Sequence, residues 1–173
     1  KDSLADAALH PPRKAKRYVK PPIDLLRTAG GNEKDRKELY DYEQNGRAKK
    51  LIDTLASCGV GAKVTAVLRG PAVTRYEIQP NPGVKVSKIV SLSDDIALNL
   101  AAMGVRIEAP IPGKEAVGIE VPNKEVEIVY LRDVIGSKEY RDSASKLTFA
   151  IGKDIAGKNI IADIAKMPHL LIA

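Results

Sequence analysis

Apolar positions recur at helical spacing within residues 33–58. Ala48, Leu51, Ile52, Leu55 and Cys58 fall at i, i+3, i+4, i+7 and i+10 and line one face of a helix that Gly59 stops. Two runs with the two-residue period of strands follow. Over Ala62–Leu68, Val64, Ala66 and Leu68 alternate with Lys63, Thr65 and Val67, and Gly70-Pro71 turns the chain into a second run, Val73–Ile78. Pro80-Asn81-Pro82-Gly83 then breaks the pattern. A second helical region is predicted over 85–103, with Ser93 as its N-cap and Ile96, Leu100 and Met103 as its apolar stripe. Gly104 ends it, and strands are predicted at 105–109 and 116–121, joined across Pro110-Ile111-Pro112-Gly113-Lys114.

The two halves of this region repeat one order: helix, Gly-Val, strand, Pro/Gly turn, strand. Leu55-Ala56-Ser57-Cys58-Gly59-Val60 parallels Leu100-Ala101-Ala102-Met103-Gly104-Val105, and Tyr76-Glu77-Ile78-Gln79-Pro80-Asn81 loosely parallels Ile119-Glu120-Val121-Pro122-Asn123. One αββ unit cannot cover both its helix and its sheet. The pattern therefore predicts an α+β fold in which two αββ units, 43–80 and 85–123, share one antiparallel sheet with the helices on one face.

Outside that core the character changes. Residues 1–20 read as a basic linker, and Tyr18–Leu26 as an extended segment that docks on the domain, broken by Gly30-Gly31-Asn32. After Asn123 the pattern predicts short helical pieces over 131–145 and strands of a new sheet at Leu147–Ile151 and Leu170–Ala173. The organisation expected is thus a linker at 1–20, a first module at 21–130 and a second at 131–173. The apolar run His169–Ala173, with no polar exit, and a first residue other than Met lead us to expect a piece of a longer chain.

Charge refines this picture only at the start of the chain. The formal net charge is +6 over 173 residues, and +4 of it lies in residues 1–20. Arg13, Lys14, Lys16, Arg17 and Lys20 form a short basic stretch that can touch phosphate or an acidic membrane surface, against the simpler reading of a solvated linker. Aromatic residues make up 4% with no Trp, which argues against recognition by base stacking. The single Cys58 implies no disulfide and a reducing compartment.

Candidate chemistry is sparse. Gly152-Lys153-Asp154-Ile155-Ala156-Gly157-Lys158-Asn159 nearly matches the phosphate-binding pattern G-x-x-x-x-G-K-[ST], in which backbone N–H groups wrap phosphate and a final hydroxyl binds Mg²⁺. Asn159 replaces that hydroxyl, and Asp154 sets a carboxylate where phosphate would sit. Gly152, Gly157 and Lys158 are therefore read as a decoy, a turn between strands. His10 and His169 have no ligand at metal spacing. Asp94 and Asp95 are an acid/base pair by type, but the first turn of a helix explains them more simply. No nucleophile elbow is present, and the residues define no catalytic group.

Several blocks together resemble the α module of FtsK/SpoIIIE-type DNA translocases. They are Gly70-Pro71-x-Val73-Thr74-x-Tyr76-Glu77, Asp94-Asp95-Ile96-Ala97-Leu98, Val105-Arg106-Ile107-x-Ala109-Pro110-Ile111-Pro112-Gly113-Lys114 and Val117-Gly118-Ile119-Glu120-Val121-Pro122-Asn123. Gly152-Lys153-Asp154-Ile155-x-Gly157 and Met167-Pro168-His169-Leu170-Leu171 are similar to the opening of the family's RecA-like β module. One departure is Cys58, where the family would place a larger aromatic. The motif positions carried over are Gly70, Pro71, Thr74, Asp94, Asp95, Arg106, Pro112, Gly113, Gly118, Glu120, Pro122, Asn123, Asp154, Pro168 and His169.

The resemblance implies a bacterial, ATP- and Mg²⁺-dependent motor that pumps double-stranded DNA through a homo-hexameric ring in chromosome segregation at division or sporulation. This part would form the non-catalytic tier, would bind no cofactor itself and would lie before the nucleotide-binding loop. The motor portion would be cytoplasmic, in a parent anchored at the division septum by N-terminal segments or in a soluble relative. The competing reading is a stand-alone αββ-repeat scaffold or adaptor without motor activity.

Overall fold

The computed structural model describes residues 19–28, 30 and 33–172, with side chains of the first helix from Tyr40 onward. The long helix α1 spans Glu33–Ser57. Leu51 and Leu55 are fully buried, with Ala48 and Ile52 packed beside them. Gly59 adopts a φ of 70°, and the amides of Cys58, Gly59 and Val60 fold back onto the carbonyls of Thr54, Ala56 and Leu55. Cys58 lies past the last helical residue and is only half-buried, so it leaves the stripe that its spacing predicts.

Strands β1 (Ala62–Arg69) and β2 (Val73–Pro80) form a hairpin, and β3 (Arg106–Glu108) and β4 (Val117–Pro122) form another. The hairpins join through β2 and β4, giving one antiparallel sheet in the order β1-β2-β4-β3. The two αββ units therefore share a sheet, as the repeat predicts. Register differs from the simple alternation in one place. A bulge between Val64 and Ala66 shifts β1, so that Val64 pairs Ile78 and Val67 pairs Tyr76 on the helix-covered face, while Ala66 and Leu68 turn to the other.

The predicted helix over 85–103 is two short ones, α2 (Val86–Val90) and α3 (Ser93–Asn99). Ser93 is the first residue inside α3 rather than its cap. The cap position belongs to Leu92, with no side-chain bond. Ala101 takes a φ of 50°, which ends the helical path before Met103. Ile96 and Leu100 are buried, whereas Met103 is fully exposed. Ile89 of α2, Ile96 of α3 and Leu51 and Leu55 of α1 meet Tyr76, Ile78, Ile119 and Val121 in one core on one face of the sheet.

Beyond Asn123, α4 (Leu131–Ile135) and α5 (Lys138–Arg141) are the short helical pieces expected, followed by β5 (Thr148–Lys153). The partner of β5 is β6 (Asn159–Asp163), not the apolar run at the end of the sequence. Leu170, Leu171 and Ile172 form no strand and are exposed, because no neighbouring strand among the described residues offers them a ladder. The leading segment carries a 3-10 turn, Ile23–Leu25, and reaches across to α4. There Arg132 pairs with Asp24 at 2.8 Å and donates to the Leu26 carbonyl.

Candidate functional site

The motif positions gather at two places. The first is the β1–β2 turn. Gly70 bends the chain, its N–H bonding to the Val73 carbonyl, and Asn123 reaches in from the end of β4. Asn123 Nδ2 donates to the carbonyls of Gly70 and Pro71, and its Oδ1 accepts from the Thr74 hydroxyl at 2.7 Å. Thr74 and Asn123 are both buried. Four motif positions thus form one satisfied hydrogen-bond cluster that ties the first hairpin to the second.

This turn also carries the second module. A side chain at Gly70 would meet the Ile155 carbonyl oxygen at 2.5 Å, and one at Gly157 would meet the Arg69 carbonyl at 3.0 Å. Only glycines permit this approach of two backbones, and Gly157 also holds a φ of 79°. The Glu127 N–H donates to the Pro71 carbonyl, and its carboxylate accepts from Arg69 Nε and Nη2 at 3.2 Å. The Arg69 guanidinium lies 3.7 Å from the centre of the Tyr40 ring. An open cleft of about 670 Å³ runs along this joint between α1, the β1–β2 turn and the β5–β6 turn, with Tyr40, Arg69, Glu127, Tyr130 and Lys153 in its walls.

The near-miss phosphate loop is the β5–β6 connection. Asp154 Oδ1 accepts from the backbone N–H groups of Ala156 and Lys158 at 2.9 and 2.8 Å. The carboxylate thus occupies donors that a phosphate would require.

The second gathering place is the sheet face opposite the helices. Arg75 and Glu120 sit directly across from each other on β2 and β4. Arg75 also pairs with Glu108, Glu120 with Arg106 at 3.3 Å, and Lys114 with Glu77 at 2.7 Å. Gly118 makes room for this, since a Cβ there would meet Arg75 Nε at 2.9 Å. The Pro112-Gly113 turn, with a φ of 76° at Gly113, swings Lys114 over Glu77. Arg75, Arg106 and Lys114 pair with Glu77, Glu108 and Glu120, which makes this face a structural mosaic of ion pairs.

The remaining positions stand apart. Asp94 and Asp95 are exposed in the first turn of α3, and Pro168 and His169 are exposed near the end. The Pro122 carbonyl accepts from Arg47. Arg13, Lys14, Lys16 and Arg17 lie outside the described residues. Among the described residues no group of three or more His, Cys, Asp or Glu is arranged to hold a metal, and no helix is long and apolar enough to cross a membrane. Sequence reading does not single out Arg69, Tyr40 or Glu127, and it quotes Ile155 only as part of a motif. Their partners are 29 to 88 positions away, and no local spacing signals such pairs.

A model of the FtsK alpha domain matches residues 20–123, and a model of the FtsK/SpoIIIE family matches residues 130–173. The chain belongs to the FtsK/SpoIIIE family. It is 58% identical over 159 residues to the DNA translocase FtsK of Clostridium acetobutylicum, covering 90% of this chain and 20% of that protein. It is 51% identical over 177 residues to the DNA translocase FtsK of Bacillus cereus, covering 99% and 22%, and 52% identical over 160 residues to the DNA translocase SpoIIIE of Bacillus subtilis, covering 91% and 20%. The chain therefore spans about a fifth of the length of the curated relatives it matches. The two matched stretches meet between 123 and 130, beside the Pro71–Glu127 bond of the joint.

Proposed function

We propose that this chain is part of an ATP-driven motor that moves double-stranded DNA in bacterial chromosome segregation at division or sporulation. The first module, 21–130, forms a non-catalytic tier of a hexameric ring, and 131–173 opens the motor module, with residues 1–20 as linker. The observation that carries this reading is the match of two adjacent family stretches, in order, at 51–58% identity to proteins named DNA translocase.

ATP and Mg²⁺ serve the parent at groups outside these 173 residues. The Gly152–Asn159 loop is a turn, a reading supported by Asp154 holding its amides. The first module works as a rigid lever, supported by the hydrogen-bonded cluster at Asn123 and the backbone contact at Gly70. Arg13, Lys14, Lys16 and Arg17 contact DNA phosphates, so charge reversal at Arg13 and Arg17 flattens the salt dependence of DNA binding. The parent is held at the septum through N-terminal segments, with this part on the cytoplasmic side.

The test is DNA-stimulated ATP hydrolysis measured side by side on this chain and on its full-length parent. The expected result is hydrolysis by the parent, stimulated by duplex DNA, and none by the chain. Hydrolysis by the chain alone contradicts the assignment of tiers. A parent without DNA-dependent hydrolysis favours the scaffold reading.

A further inference from the structure

Tyr76 lies at the centre of the sheet, fully buried, and its phenol oxygen finds no hydrogen-bond partner among the described residues. A buried hydroxyl left unpaired is costly, and native interiors seldom keep one. Beside it lies a second, smaller cavity of about 90 Å³ between α1 and the strands, walled by Glu43, Gln44 and Arg47 of α1, by Thr74 and Tyr76 of β2, and by Lys124. One water needs roughly 10–15 Å³ of such space and two to four polar partners, so the cavity has both the room and the lining for more than one.

We propose that this cavity is a built hydration site, in which ordered water bridges Tyr76 Oη to the polar side chains of α1 that wall it. Charge balance selects water over an anion. Arg69, which also lines the cavity, is already engaged by Glu127, and Arg47 by the Pro122 carbonyl, while Glu43 and Glu125 offset the remaining positive charge. The field at the phenol agrees with this placement. Burial pushes the Tyr76 hydroxyl above its ordinary value, and Arg47, Arg69 and Glu43 are the charges that act on it.

The site gives α1 two kinds of contact with the sheet. Near its C-terminus α1 is dry, through Leu51 and Leu55, and between Tyr40 and Arg47 it is wet. The hydrated cavity shares Tyr40, Gln44, Arg69 and Glu125 with the larger cleft at the module joint. Water in it can therefore exchange with that cleft, and the joint is lined by solvent as well as by side chains.

The test is a high-resolution crystal structure of this chain and of Tyr76→Phe, with the unfolding equilibrium of both. The expected result is a water peak at hydrogen-bond distance, about 2.7–2.8 Å, from Tyr76 Oη and within reach of a polar group on α1. The peak is absent in Tyr76→Phe, and the unfolding constant of the variant rises about fivefold, as for one net hydrogen bond lost. A dry cavity, or Oη bonded directly to Glu43 or Arg47, overturns the proposal. An unchanged or lower unfolding constant overturns it too, because a truly orphaned hydroxyl is a liability whose removal stabilises. If the variant does not fold, the wild-type density decides alone.

Discussion

The two modules are built on opposite economies of burial. Residues 33–123 bury a continuous core between three helices and a four-stranded sheet, with Tyr76, Ile78, Ile119 and Val121 fully enclosed. In 130–172 Val134 is the single buried apolar side chain among the described residues, while Leu147, Ile151, Ile155 and Ile164 are exposed. A two-stranded hairpin has marginal stability alone. The hairpin β5–β6 is held by α4 and α5 and by the backbone approach at Gly70 and Gly157. Order therefore originates in the first module, and the second takes part of its own across the joint.

The sharpest way to break this comparison is to remove matched side chains from each side. Leu55→Ala in the enclosed core is expected to cost about 3–4 kcal/mol in denaturant unfolding. Ile151→Ala, at an exposed position of β5, is expected to stay within about 0.5 kcal/mol.

Next in size is the charged face. Arg75→Ala leaves Glu120, itself only 6% exposed, with the largely solvent-exposed Arg106 as its remaining cation. The half-exposed partners soften the loss, so about 2–3 kcal/mol is expected, below the full penalty for a deeply buried pair. A chemical denaturation curve that matches wild type removes this face from the account.

Gly70→Ala addresses the joint alone. The added methyl meets the Ile155 carbonyl, a backbone atom that cannot rotate away. Faster amide exchange in β5–β6 is expected, with about 1–2 kcal/mol lost locally and little change in β2 and β4. Equal loosening of both modules would show that they unfold as one unit.

The smallest effect is in alkali. Burial raises the Tyr76 pKa above 10.0, with Glu43 and Arg47 of α1 and Arg69 of β1 facing it. A raised folded-state value means that the unfolded chain gives up its proton first. The stability this group contributes is complete below the unfolded pKa and declines as pH rises from there through the folded value. The gap in unfolding free energy between wild type and Tyr76→Phe should therefore narrow as pH rises from 9 to 11. A gap that does not change contradicts the shift.

What the sequence made legible follows the same division. Periodicity was strong where one face is buried, so α1, the two hairpins and the shared sheet of the repeat were readable from Leu51, Leu55, Val73–Ile78 and Val117–Val121. It failed where a single backbone event resets the phase. The bulge at Val64/Ala66 moves Val67 onto the core face, and the positive φ of Ala101 leaves Met103 outside. In the second module the apolar residues are not sorted by burial: the pattern places a strand at Leu170–Ala173, whereas Leu170–Ile172 are exposed and the partner of β5 is β6 at Asn159–Asp163. The motif positions were visible as residues. Their convergence on one turn was not, since Gly70, Asn123 and Ile155 are distant in sequence.

Native-state amide exchange of the intact chain tests the central claim most directly. The amides of β2 and β4 are expected to exchange only with global unfolding, while those of β5 and β6 exchange orders of magnitude sooner through local opening at the joint. Equal protection of β5–β6 and β2–β4 would mean that the second module carries its own stability, and would contradict the account.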